Sequence, residues 1–238
     1  MISKKVRDIV ESPSNGVIRK MFEEGALLRK KYGADKVYDF SIGNPDLDPP
    51  QKVVDAVKEI AADNSHLRHG YMPNPGYPET RAAMAKKTGI EQGMEIDFSN
   101  VVMAVGAAGA INATLKALLN DGDQLIVPCP YFAEYGHYVH NHNGEIVGVK
   151  TKDDFSLDTD VIRDALNEKT AAILLNSPNN PTGRIYSDGD IDNLVKVLKD
   201  HGNKTGRYPY IILDEPYRAI TYDGKKVAPV FPKYEYSV

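Results

Sequence analysis

From Val101 onward, short apolar runs alternate with stretches whose apolar positions recur at helical spacing. Residues 101–105, 124–127, 145–149, 171–175 and 210–213 are apolar and rich in β-branched side chains, which predicts strands. Between them, residues 107–119, 132–139, 160–166 and 188–200 predict helices. Such alternation implies a mainly parallel sheet wrapped by helices. The nearly all-apolar strands imply cover on both faces. The expected fold class is therefore α/β, a three-layer αβα sandwich.

Upstream, the pattern is helical over residues 15–33, where Val17, Ile18, Met21, Phe22, Leu27 and Leu28 share a spacing. Ser14 or Asn15 is placed to cap this helix and Gly33 to end it. Residues 37–41 form a short strand candidate that runs into Gly43-Asn44-Pro45-Asp46, a dense turn signal. Pro49-Pro50 then opens a helix carrying Val53, Val54, Val57 and Ile60 on one side, since proline is tolerated in a first helical turn. A Gly- and Pro-rich loop over residues 70–77 leads into a further helix over 78–88.

Composition narrows the class. The chain has 238 residues, 42% hydrophobic and 26% charged, with net charge −4. These values suit an ordinary globular protein with a real core. No basic block suggests nucleic acid, and no apolar run suggests a membrane span. Cys129 is the single cysteine, so no internal disulfide forms. With a charged N-terminal segment, that points to the cytoplasm.

Ligands in open α/β sheets bind beyond the carboxyl ends of the strands, so the residues after each strand matter most. The first is followed by Gly106-Ala107-Ala108-Gly109, the second by Pro128-Cys129-Pro130-Tyr131-Phe132. The fourth is followed by Asn176-Ser177-Pro178-Asn179-Asn180-Pro181-Thr182-Gly183, the fifth by Asp214-Glu215-Pro216-Tyr217. Small residues at a helix start leave N–H groups open to a phosphate. An aromatic side chain can stack on a planar ring. A carboxylate can keep a pyridine nitrogen protonated, and an amide and a phenol can bind a phenolic oxygen. Taken singly, each segment reads more simply as a turn, a core residue or a helix cap. Their order and shared placement describe a site for pyridoxal 5′-phosphate (PLP).

The same residues resemble the class I/II aminotransferases, the aspartate-aminotransferase-like members of the fold type I PLP enzymes. Ile42-Gly43-Asn44-Pro45-Asp46 is similar to the family's early substrate-side loop. Tyr71, Gly76 and Arg81 match its Y-x-x-x-x-G-x-x-x-x-R stretch. The string from Asn176 to Gly183 copies its most distinctive motif, and Asp214-Glu215-Pro216-Tyr217 fits its D-E-x-Y element. The resemblance covers essentially the whole chain and implies the partial large domain of that fold, incomplete at the C-terminus. It assigns residues 1–48 to the small domain and dimer arm and residues 49–238 to the PLP-binding large domain.

The resemblance also implies roles. Backbone N–H groups of Ala107 and Ala108 would hold the PLP phosphate, where relatives often have a hydroxyl or lysine side chain. Phe132 would stack on the ring, and Asp214 would pair with its nitrogen. Asn180 would bond the 3′ oxygen and contact the substrate carboxylate, and Tyr217 would bond the same oxygen. Tyr71 would reach the phosphate in the other subunit of a homodimer with shared sites, and Gly43 would lie against the substrate. No metal is implied. Asp214 and Tyr217 are the catalytic candidates here.

In relatives a Schiff-base lysine follows the aspartate by roughly thirty residues, a spacing belonging to the motif, and here it would lie beyond Val238. Lys225, Lys226 and Lys233 stand in the wrong context for it. The carboxylate-clamping arginine would lie further on. The expectation is thus an incomplete record of a longer aminotransferase, inactive by itself, that moves an amino group from an amino acid to a 2-oxo acid.

Alternatives remain at this point. A PLP-dependent C–S lyase or decarboxylase would share these residues. A non-catalytic PLP-binding regulatory module would carry a helix-turn-helix upstream, and nothing before Gly43 has that character. An NAD(P)-binding oxidoreductase would use Gly106–Gly109 as a phosphate turn, but its acidic ribose partner is replaced by Pro128-Cys129-Pro130. An ATPase would use residues 211–216 as a Walker B strand, but no G-x-x-x-x-G-K-[ST] string is present.

Overall fold

The computed structural model describes residues 2–11, 17–40, 43 and 47–238. They form two compact units, residues 1–70 and 71–238.

The first unit is helical. It contains α1 (Lys4–Glu11), α2 (Val17–Tyr32) and α3 (Gln51–Ala62). Gly33 ends α2 with φ +97°, a conformation that suits glycine. The expected caps Ser14 and Asn15 lie outside the described residues. Residues 37–40 belong to no strand ladder among the described residues, so the strand expected over 37–41 is not formed there; Ser41 lies outside the described residues. A strand needs a neighbour to take its backbone hydrogen bonds, which the segment by itself does not supply. Pro50 stands immediately before α3, and Val53, Val57 and Ile60 are exposed on it.

The second unit carries α4 (Pro78–Gln92), α5 (Gly106–Leu118), β1 (Gln124–Cys129), α6 (Glu134–Asn141), β2 (Glu145–Lys150), α7 (Thr159–Ala165), β3 (Thr170–Asn176), α8 (Asp188–Thr205) and β4 (Tyr210–Asp214). The four strands are all parallel, in the order β2-β1-β3-β4. Alternating side chains feed two cores. On one face Leu125, Val127, Ala172, Leu174 and Ile212 meet Ile111 and Leu115 of α5 and Tyr135 and Val139 of α6. On the other, Ile126, Ile173, Leu175 and Ile211 meet Ile162 of α7 and Ile191, Leu194 and Leu198 of α8. All seven residues of β3 are buried. Each large apolar side chain so covered contributes roughly 1.5–3 kcal/mol. The three-layer αβα arrangement and the parallel sheet agree with the reading of the sequence.

Residues 101–105 are the exception among the later strands. Val102 and Val105 are exposed, Val105 lies in a bend, and no ladder among the described residues pairs the segment. It is held instead by single contacts. Met103 N–H donates to the Pro75 carbonyl at 2.9 Å, and Arg81 Nε donates to the Val101 carbonyl at 2.7 Å. Gly76 is required here twice over. Its φ is +104°, and a Cβ would lie 2.6 Å from Met103 Cγ. At the other end of the chain, Ser237 forms a parallel bridge with Ile211, and Leu213 N–H donates to the Val238 carbonyl at 2.8 Å. Residues 236–238 therefore lie alongside β4, which they meet through an isolated bridge.

Candidate active site

The chain leaves β2 and crosses over β1 to reach β3, so the strand order reverses between β1 and β3. That switch point opens a crevice at the carboxyl ends of the strands. A cavity of about 260 Å³ lies there, lined among others by Ala107, Ala108, Phe132, Asn180, Asp214 and Tyr217. Its size is near the lower end for small-molecule sites, roughly 300–1,000 Å³. Six residues proposed from separate strand ends thus line one hollow. Tyr71 is fully exposed and does not line it. Gly43 is exposed in the first unit, and Ile42, Asn44, Pro45 and Asp46 lie outside the described residues.

Each side chain is placed by local chemistry. Gly106 takes φ +70° and opens α5 without a side-chain cap. The first-turn N–H groups beside Ala107 and Ala108 therefore lack intrahelical partners and carry the positive end of the helix dipole. Phe132 follows β1 by three residues, and its ring meets the Tyr135 ring edge-on with centroids 5.6 Å apart. Asp214 is the last residue of β4 and sits opposite Asn176, the last of β3.

Asn176 is buried and ties these strand ends together. Its Nδ2 donates to the Asp214 carbonyl at 2.8 Å, and its Oδ1 accepts from the Asn180 N–H at 2.5 Å. Asn179 braces the rest of the loop, accepting from Thr182 Oγ1 at 2.9 Å. The asparagine string is thus a self-braced turn that carries Asn180 to the cavity.

Two contributors were missed in the sequence: Tyr135 and Asn176. The Tyr135 hydroxyl donates to Asp214 Oδ2 at 2.5 Å, and both residues are buried. Tyr135 lies in a helical apolar pattern and reads as core; nothing local connects it to a residue 79 positions away. Asn176 is hidden inside a motif whose later asparagine draws attention first. Burial pushes the Asp214 carboxyl above its ordinary range, and the Tyr135 hydrogen bond partly opposes that shift. Burial and the neighbouring carboxylate push the Tyr135 phenol well above its ordinary range, so it keeps its proton.

The three lysines set aside in the sequence stay apart from the cavity lining. Lys233 pairs with Asp188 and Asp192, each at 2.8 Å. Lys225 and Lys226 line another hollow, beside Arg184 and Ser187. Among the described residues no helix is long and apolar enough to cross a membrane, and no cluster of potential metal ligands occurs.

Known proteins share this arrangement. The sequence profile of the family described as aminotransferase class I and II matches residues 35–235. The crystal structure of an aminotransferase from Eubacterium rectale superposes with a TM-score of 0.93 at 36% identity, covering 100% of this chain and 60% of that one. Aspartate aminotransferase from Thermus thermophilus, solved with maleate, gives a TM-score of 0.84 at 29% identity, covering 100% and 59%. The aspartate aminotransferase of Pyrococcus abyssi is 34% identical over 212 residues, or 88% of this chain and 51% of that one. The chain spans about half the length of the curated relatives it matches. These neighbours have the fold type I architecture. With the profile covering most of its residues, the chain belongs to the class I and II aminotransferases.

Proposed function

We propose that the protein transfers an amino group from an amino acid to a 2-oxo acid with PLP, the cofactor of its family. The observation that carries this reading is Asp214. It is a buried carboxylate at the cavity, pushed toward protonation by desolvation, and the described residues bring it no ion pair. Such a group is costly to keep charged unless a cation joins it. A protonated pyridine nitrogen is a cation of suitable size, and the rest of the lining suits the rest of the cofactor. Phe132 offers an aromatic face, Asn180 and Tyr217 offer donors to an oxygen, and the start of α5 offers N–H groups to a phosphate.

When bound, PLP supplies an electron sink for the bonds of an amino acid's α-carbon. Asp214 would hold the proton on the ring nitrogen. Phe132 would fix the ring plane and keep water from that face. Asn180 and Tyr217 would bind the ring oxygen, with Asn180 also meeting the substrate carboxylate. Ala107 and Ala108 would hold the phosphate through backbone N–H groups alone, since their side chains carry no donor.

On this reading residues 1–48 belong to the small domain and dimer arm, and residues 49–238 to the cofactor-binding large domain. The working unit is a homodimer with shared sites. Full exposure of the Tyr71 ring supports this, because such a ring is free to reach a partner's phosphate. Gly43 lies against the substrate. The lone Cys129 supports a cytoplasmic setting.

Aspartate is the donor to try first, because relatives from Pyrococcus abyssi and Thermus thermophilus are named for it. The test supplies PLP, L-aspartate and 2-oxoglutarate to the purified full-length protein and measures glutamate and oxaloacetate. Equal amounts of both, dependent on PLP and lost in Asp214→Ala, are the expected result. Carbon dioxide release from aspartate without amino transfer, or no amino transfer at all, would contradict it.

A further inference from the structure

We propose that Tyr135 is a positioning residue for Asp214: its hydroxyl gives the buried carboxylate a fixed donor, which holds one oxygen in place and keeps the charge available to a ring nitrogen in the cavity. The proposal rests on the PLP reading for the identity of that ring. Its own basis is geometric. Tyr135 is 1% exposed and sits in α6 with its ring wedged among Phe132, Tyr131 and Tyr138, at centroid distances of 5.6, 6.4 and 6.3 Å. The phenol therefore cannot swing away from Asp214 without emptying a packed site. At 2.5 Å the bond has the length of a charge-assisted O–H···O⁻ contact. No other side chain among the described residues donates to the Asp214 carboxylate.

Among the described residues, the titratable groups that face Asp214 are phenols. They are Tyr135 and Tyr138 from α6 and Tyr217 from the segment after β4; the end of β3 contributes Asn176 and α5 contributes Ala107, Ala108 and Ile111 to the same lining. Among the described residues no cation offsets the desolvation of Asp214, and the Tyr135 hydroxyl is the group that favours its ionised form. Removing that hydroxyl leaves burial unopposed. Asp214 then takes up a proton more readily, and a neutral carboxyl no longer attracts a protonated ring.

The test uses Tyr135→Phe, which removes one oxygen and keeps the ring, beside Tyr138→Phe as a second lost hydroxyl. The Asp214 carboxyl is titrated in the cofactor-free protein by infrared absorption, its band assigned by loss in Asp214→Asn. Pyridoxamine 5′-phosphate is then bound at several pH values; it has no aldehyde, so surface lysines do not capture it. The expected result is an upward shift of the Asp214 titration in Tyr135→Phe and none in Tyr138→Phe. Probe affinity at neutral pH should fall about tenfold in Tyr135→Phe, the scale of one hydrogen bond to a charge. That loss should deepen as pH falls, which a merely looser fold would not produce. An unchanged Asp214 titration in Tyr135→Phe, or an equal shift in Tyr138→Phe, overturns the proposal. So does an Asp214 already protonated at pH 7 in the unaltered protein, a measurement that needs no variant. Failure of the unaltered protein to bind the probe would instead count against the PLP reading, and the cofactor-free titration would still decide the role of Tyr135.

Discussion

The Tyr135 hydroxyl lies 2.5 Å from Asp214 Oδ2, joining a helix after β1 to the end of β4 across the cavity wall. The pair places a permanent donor against a carboxylate that the fold desolvates without a cation. Its energetic consequences can be measured with the cofactor absent.

The first concerns acidity and stability. Asp214 is raised above its unfolded value, so the folded chain binds its proton more tightly than the unfolded chain does. Its favourable contribution is complete below the unfolded value and is lost as pH rises through the folded one. At neutral pH the buried charge therefore costs stability. Cofactor-free Asp214→Asn should melt above the unaltered protein at pH 7, and the difference should shrink as pH falls into the acid range. Scanning calorimetry at several pH values checks this; a variant that melts lower at pH 7 would show that Asp214 is well solvated or paired.

Asn176 should matter more for stability than its size suggests. Asn176→Leu would leave the Asp214 carbonyl and the Asn180 N–H without their present partners. One buried and one part-buried polar group left unpaired should cost about 2–4 kcal/mol. Urea denaturation would read that loss as a lower midpoint with an unchanged slope. A loss below about 1 kcal/mol would mean that water or relaxation satisfies both groups.

Gly202 sets two effects against each other. It lies inside α8, where replacing glycine by alanine ordinarily stabilises a helix by about 1 kcal/mol. A Cβ at Gly202, however, would stand 2.2 Å from the Tyr208 ring. That ring stacks on Tyr236 at 5.0 Å, and its hydroxyl donates to Asn203 at 2.6 Å, so it cannot move away freely. Sterics should win: Gly202→Ala is expected to destabilise by about 1–3 kcal/mol. Adding Tyr208→Ala should recover the alanine's helical benefit, read as a positive coupling in a double-mutant cycle. Stabilisation by Gly202→Ala alone would contradict the packing described.

Phe132 should act on binding. Phe132→Ala removes an aromatic face at the cavity, where stacking of rings is worth roughly 0.5–1.5 kcal/mol beyond buried area. Pyridoxamine 5′-phosphate affinity should fall about tenfold, and Phe132→Trp should keep most of it. Equal affinity in Phe132→Ala would place the bound ring elsewhere.

Much of this architecture could be read from the chain because its causes are local. β1 to β4 follow from apolar runs, and Asn180 and Asp214 follow from their positions just beyond such runs. Residues 101–105 carry the same apolar signature and residues 37–41 also read as a strand, yet neither forms one over its described residues, because pairing is a property of neighbours and not of a segment. Tyr135 and Asn176 were illegible for a related reason. Their partner Asp214 lies 79 and 38 residues away along the chain, and it is the crossover from β2 to β3 for Tyr135, and the pairing of β3 with β4 for Asn176, that brings it near. A core aromatic and a turn asparagine look alike in sequence whether or not a carboxylate waits across the sheet.

The central claim is that Asp214 holds a protonated pyridine ring in the strand-end cavity. Calorimetric titration of pyridoxamine 5′-phosphate into the purified protein tests it most directly, because this ligand needs no lysine to stay bound. One saturable site per chain, weakened at least tenfold by Asp214→Ala, is the predicted result, tenfold corresponding to about 1.4 kcal/mol. No saturable binding, or equal affinity with and without the Asp214 carboxylate, would contradict the account.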